Sequence, residues 1–235
     1  MSEIFVVGNG PSLKDFDFNY LKDKEWVGMC LGFRHWEEID MYPTYYCCVD
    51  SVVCNHHRHK ILDMVKNNKC KSFMICGSIF QSDIGEELQK YNNVKCIQEY
   101  KYSKQNPFRY LVDYCTGTSS VLFAYCLGAT KINILGCDCE YKEFIPECIE
   151  LEDKTLKIIK EPKNNPNYYY NKYQQVGDIY NKPNTDRVHQ SSWFDLRNII
   201  LLFNILRDTQ VEIFNYNITD KLDEYFQRRI IDELK

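Results

Sequence analysis

Three short stretches of this chain combine glycine, small hydroxyl and carboxylate residues in patterns suited to holding charged groups. The first is Gly8-Asn9-Gly10, followed by Pro11-Ser12-Leu13. Two glycines around an Asn give a tight turn that a ligand can approach closely, and a helix start behind it offers amides to phosphate. The second is Thr116-Gly117-Thr118-Ser119-Ser120, leading into the apolar run Val121-Leu122-Phe123-Ala124. The open N-terminus of a helix beginning there can hold an anion or a base edge. The third is Gly136-Cys137-Asp138-Cys139-Glu140-Tyr141. Its carboxylates, Asp138 and Glu140, are spaced to hold Mg²⁺ or Mn²⁺ bridging a diphosphate.

Single residues add to these stretches. Asp50 ends an apolar run, where a carboxylate suits ribose or sugar hydroxyls; the competing reading is an N-cap for the helix that follows. His189, flanked by Ser191, Ser192 and Trp193, has a side chain that titrates near neutral pH, as a general base requires. Tyr168, Tyr169 and Tyr170 stand in a polar segment where they are suited to stack on a base or sugar. His56-His57-x-His59 looks like a metal cluster. Its i, i+1, i+3 spacing does not converge on one ion along a helix, and it reads as a solvated face.

The elements that must position these groups alternate strand and helix. Ile4–Val7, Trp26–Leu31, Tyr45–Val49, Lys71–Gly77, Val94–Ile97, Lys131–Gly136 and Val211–Asn215 read as strands. Between them, helical patterns follow Pro11 and cover Val52–Lys66, Glu86–Tyr91, Thr116–Gly128 and Leu196–Leu206, with a closing amphipathic helix over Leu222–Leu234. Residues 99–112 read as a loop facing the site. The expected fold class is α/β, a single Rossmann-like, doubly wound and mostly parallel sheet over residues 1–235. Residues 142–188 interrupt it with little apolar periodicity, and a polar, Tyr-rich lid or a merely flexible excursion is expected there.

Composition excludes several classes. The 235 residues carry 29 Lys and Arg against 33 Asp and Glu, a net charge of −4, which gives no general pull towards nucleic acid or anionic membranes. No export signal precedes the first short apolar run, and no stretch approaches the roughly 20 apolar residues of a membrane span. A cytoplasmic protein is expected, and its 12 cysteines read as reduced thiols. Apolar C-terminal segments would permit a homo-oligomer.

Gly8–Leu13 (GNGPSL) and Thr116–Tyr141 (TGTSSVLFAYCLGATKINILGCDCEY), with the YPTYYCCVD stretch and a polar segment followed by His, resemble the bacterial lipooligosaccharide sialyltransferases and related surface-glycan glycosyltransferases. The resemblance implies a nucleotide-binding α/β domain that takes a CMP-sugar donor and transfers to a glycan or glycolipid hydroxyl with inversion, without a metal. It implies that Gly8, Asn9 and Gly10 line the phosphate and that Asp50 stands where an Asn contacts the nucleotide. Thr118, Ser119 and Gly136–Asp138 would border base and ribose. His189 would deprotonate the acceptor, and Tyr141, Tyr168, Tyr169 or Tyr170 would assist the departing phosphate. The chain departs from the pattern at Leu31-Gly32, where the family has Asn, and at Glu140, where it has Tyr. A nucleoside diphosphate donor would bring Mg²⁺ or Mn²⁺ to Asp138 and Glu140. Phosphoryl transfer of the pterin pyrophosphokinase type and non-catalytic nucleotide binding are the alternatives.

Overall fold

The computed structural model describes residues 2–97, 115–139, 141, 145–182, 200, 202–217 and 222–230. Its centre is an eight-stranded sheet. The strands, in chain order, are β1 (Glu3–Val7), β2 (Glu25–Met29), β3 (Tyr45–Cys48), β4 (Ser72–Ile75), β5 (Val94–Cys96), β6 (Lys131–Leu135), β10 (Glu212–Asn215) and β11 (Gln227–Arg228). Three further strands, β7 (Cys148–Glu150), β8 (Thr155–Ile158) and β9 (Ile179–Asn181), form a separate antiparallel sheet. In the large sheet all neighbours run parallel, in the order β11-β10-β6-β1-β2-β3-β4-β5. The chain winds outward from β1 in one direction through β5 and in the other through β6, β10 and β11. The sheet is therefore doubly wound, and its switch point lies between β1 and β6.

Continuous apolar strands are what a parallel sheet covered on both faces requires. In β1, Phe5 and Val7 enter one core with Trp26, Tyr46 and Phe73, while Ile4 and Val6 enter the other with Val27, Cys47 and Met74. The first core is covered by the short helices α1 (Phe33–Glu38), α2 (Ser51–His56), α3 (Arg58–Lys66) and α4 (Gly85–Leu88). The second is covered by α5 (Thr116–Cys126), whose residues 118–124 are all buried, and by Leu202 and Leu206.

The sequence reading needs four corrections. The helix expected after Pro11 is two 3-10 turns, Pro11–Leu13 and Phe18–Leu21, because Asp17 accepts the Asn19 N–H and starts the chain afresh. The helix over Val52–Lys66 is broken at His57 into α2 and α3. Residues 145–182, expected to lack regular structure, carry the antiparallel sheet, with Leu156 and Ile158 buried beneath it. The closing helix is absent over the described part of Leu222–Leu234: a turn leads from Leu222 into β11 beside β10. Residues 99–112 and 196–199 lie outside the described residues.

Candidate functional site

The two glycine-bearing stretches meet at the carboxyl ends of β1 and β6, flanking the switch point. The Gly8 N–H donates to Leu135 O at 2.7 Å and the Gly10 N–H to Gly136 O at 2.8 Å. Glycine is required by this approach: a Cβ on Gly8 would stand 2.2 Å from Gly136 O, and one on Gly10 2.3 Å from Asp138 Oδ2. Gly136 itself turns at a φ of +66°. Asp138, 4% exposed, closes the clasp by accepting the Ser12 N–H at 2.9 Å and the Ser12 Oγ–H at 2.6 Å.

The amides of Gly8, Gly10 and Ser12 bond inside the protein, Pro11 has none, and only a three-residue 3-10 turn follows. Asp138 is likewise committed to Ser12 rather than facing a diphosphate-bound cation. Its metal partner in that reading, Glu140, lies outside the described residues, as does His189.

The second helix start keeps its expected character. Cys115 is the extended N-cap of α5, and the intrahelical bonds begin with the Ser119 N–H to Cys115 O. The hydroxyls of Thr118 and Ser120 return to the carbonyls of Cys115 and Thr116. That leaves the first-turn amides of an eleven-residue helix without intrahelical acceptors. They border a cavity of ≈ 160 Å³ lined by Gly8, Asn9, Gly117, Thr118 and Gly136 on its polar side. Met29, Val121, Leu202, Leu222 and Phe226 form its apolar wall. Of the residues singled out in the sequence, the cavity thus gathers Gly8, Asn9, Thr118 and Gly136. Ser119 is fully buried behind the helix face.

Asn9 is a junction. Its Nδ2 donates to Met29 O at 3.1 Å and to the Tyr173 hydroxyl at 3.3 Å, and its carbonyl accepts the Tyr169 N–H. The Tyr-rich segment is therefore packed directly against the turn. Tyr168 stacks on Tyr173 with ring centroids 3.9 Å apart, and Tyr141, more exposed, meets Tyr168 edge-on at 6.5 Å. Burial raises the hydroxyl pKa of both Tyr168 and Tyr173 well above the usual phenol range, so both stay protonated donors. Tyr169 instead reaches His35 Nδ1 at 3.0 Å, and Tyr170 bonds Glu38 with Lys172 beside it. Tyr169 and Tyr170 thus point to α1, away from the cavity wall.

Of the two roles expected for it, Asp50 takes the N-cap. One oxygen accepts the Val52 and Val53 N–H groups and caps α2, and the carboxylate also accepts the Asn181 amide at 3.1 Å. It clasps β9 rather than lining the cavity.

Arg34 and Asp178 carry no motif that would reveal them, because 144 residues separate them. Arg34 grips both oxygens of Asp178 at 2.6 and 2.8 Å and also donates to Tyr173 O, which pins the segment to α1. His57, expected on a solvated face, is turned in beside this pair, its Nε2 3.6 Å from Asp178. Burial pushes its pKa down to about 4; the Asp178 charge opposes that shift, while Arg34 and His56 add to it. The donors of His56, His57 and Asp178 lie within 4.8 Å of one another. A cation among them would face the Arg34 guanidinium on the same carboxylate, so this is a structural network.

No protein-family model matches the chain, and no curated protein does. Solved structures do. The sialyltransferase CstII from Campylobacter jejuni in complex with the substrate analogue CMP-3FNeuAc has a TM-score of 0.56 at 12% identity, covering 97% of this chain and 85% of that one. The same enzyme with a trisaccharide acceptor and CMP gives 0.55 at 13% identity, covering 96% and 85%. With cytidine-5'-monophosphate it gives 0.53 at 12% identity, covering 97% and 85%. At this identity the likeness shows a shared overall fold.

Proposed function

We propose that this chain is a glycosyltransferase that takes a CMP-sugar, of the sialic acid type, and passes the sugar to a hydroxyl of a glycan or glycolipid. The observation that carries the proposal is the cavity at the β1/β6 switch point, faced by the open start of α5, in a fold shared with enzymes solved with CMP and with an acceptor. Ligands of doubly wound sheets bind at such a crevice.

The nucleotide phosphate is assigned to the first-turn amides of α5 at Gly117 and Thr118, where partial positive charge faces the cavity. Gly8, Gly10 and Gly136 contribute close approach rather than N–H donation. Asn9 and Asp50 contribute order: one ties the turn to the Tyr segment, the other ties β9 to α2. In the transfer, a base removes the acceptor proton, the acceptor oxygen bonds the anomeric carbon, and the anomeric carbon–phosphate oxygen bond breaks with inversion. His189 is assigned as that base, and Tyr141, which packs edge-on against Tyr168, is assigned to donate to the departing phosphate. Stabilising charge only as it develops is what would raise the rate.

A thermal-shift panel of CMP, UDP, GDP, ADP and ATP, each with EDTA or with Mg²⁺ or Mn²⁺, tests the reading. Stabilisation by CMP in EDTA is the expected result, at roughly 2.7 kcal/mol for a ligand at about 100 times its Kd. Stabilisation by UDP or GDP with metal alone would move the donor to a nucleoside diphosphate sugar. A response confined to ATP would favour phosphoryl transfer. Replacement of His189 by Ala should preserve the CMP shift and lower turnover roughly 10²–10⁴-fold; unchanged turnover removes it from the role.

A further inference from the structure

The cavity has a second chemical character that glycosyl transfer does not use: three of its lining residues are cysteines, Cys115, Cys137 and Cys139. All 12 cysteines of the chain are thiols rather than disulfides. Cys47, Cys48, Cys54, Cys70, Cys76 and Cys96 are buried, and burial pushes Cys47 and Cys70 up to about 12. Such thiols are inert. The three at the cavity are only partly buried.

Their placement favours reaction. Cys115 caps the start of α5, where the helix charge favours a thiolate, the nucleophilic form. The sulfurs of Cys115 and Cys137 each lie 3.8 Å from the point where a Cβ on Gly117 would stand. Both thus lie beside a residue with no side chain, no further apart than twice that distance. Cys137 stands next to Gly136 in its left-handed turn, and Cys139, at a φ of +56°, donates its thiol hydrogen to Cys137 O at 3.3 Å.

We infer that Cys115, Cys137 and Cys139 form a thiol-modification site that regulates nucleotide entry, with low-molecular-weight disulfides of the glutathione class as the reacting ligand. This rests on the reading of the cavity as the donor site. The Cys115 thiolate, its proton given to water, attacks one sulfur of the small disulfide. A new S–S bond forms and the old one breaks; the departing thiolate leaves with the electron pair and takes up a proton. Cys137 then attacks the Cys115 sulfur, expels the second small thiol and leaves a Cys115–Cys137 bridge. The incoming disulfide is the only oxidant needed. The mixed disulfide occupies the space beside Gly117 and Thr118 that the phosphate would need, and the bridge draws the two sulfurs together beside Gly117.

The test treats the full chain with oxidised glutathione, with and without CMP, and maps each cysteine by peptide mass spectrometry. Cys148, also partly buried but on β7, is the internal reference. Cys115 should react at least about tenfold faster than Cys148, as expected for a thiol at a helix start. CMP should protect Cys115 and not Cys148, and a reducing thiol should restore the CMP shift that oxidation removes. Cys137→Ser should accumulate only the mixed disulfide, and Cys115→Ser, which keeps a good capping residue, should give neither product. Equal rates at Cys115 and Cys148, or a full CMP shift in the modified protein, would overturn the inference. If the untreated protein shows no CMP shift, the donor reading fails, while the ratio of rates and the cysteine variants still decide the thiol site.

Discussion

The turn at Gly8–Gly10 and the helix start at Cys115–Thr118 have the same sequence character, a run of small residues, yet the fold uses them in opposite ways. At the first, the amides of Gly8, Gly10 and Ser12 bond to Leu135, Gly136 and Asp138, and a 3-10 turn of three residues follows. At the second, the first turn of an eleven-residue helix, whose amides have no intrahelical acceptors, borders a cavity. Small residues at a strand end therefore have two uses: they let two backbones come together, or they let a ligand approach one. A turn that is filled by its neighbours is a clasp. A helix start becomes a binding site only when the fold leaves space in front of it.

Substitutions can break or sharpen this contrast. The largest effect is expected at Gly8→Ala, whose Cβ would meet Gly136 O at 2.2 Å. Backbone cannot yield as a side chain does, so a loss of ~3 kcal/mol, the upper end for overpacking, should appear in the urea midpoint. A midpoint unchanged from the parent chain would show that the clasp is not as tight as described.

Next is Asp138→Ala, which leaves the Ser12 N–H and Oγ–H without their carboxylate. A loss of about 2 kcal/mol is expected, since bonds to a charged acceptor are worth roughly 1.5–3 kcal/mol, and the CMP shift in EDTA should survive. If stability holds and the nucleotide shift is lost in the variant, Asp138 belongs to the ligand rather than to the clasp.

The smallest effect on stability belongs to Gly117→Ala, where the added Cβ meets only the sulfurs of Cys115 and Cys137 at 3.8 Å. Folding should be unchanged or improved by up to ~1 kcal/mol through helix propensity. The methyl group intrudes on the cavity, and the Kd for CMP should rise about tenfold, or ~1.4 kcal/mol, by calorimetry. Weakened folding with intact affinity would reverse the roles assigned to the two stretches.

Local pattern was enough for much of the fold. The apolar runs at Ile4–Val7 and Lys131–Leu135, with glycine at their ends, are legible as buried parallel strands because a strand covered on both faces must be apolar throughout. The small antiparallel sheet was not legible, because β7 and β9 are three residues each and largely exposed, so they carry no apolar alternation. The break at His57 was hidden for a different reason: the partner that draws the imidazole inward, Asp178, is distant in the chain.

By itself the sequence determined most of the strands of the sheet and its doubly wound class. Apolar runs and glycines act over a few residues, and that information is local. Tertiary structure alone decided which amides were spent and which remained, that Asp138 serves Ser12, that Asp50 and Arg34 hold the inserted segment, and that three thiols line one cavity. The bonds of Asp138, Asp50 and Arg34 depend on groups that arrive at hydrogen-bonding distance from more than 100 residues away. Hydrogen bonds and excluded volume act only at contact, so no spacing along the chain records them.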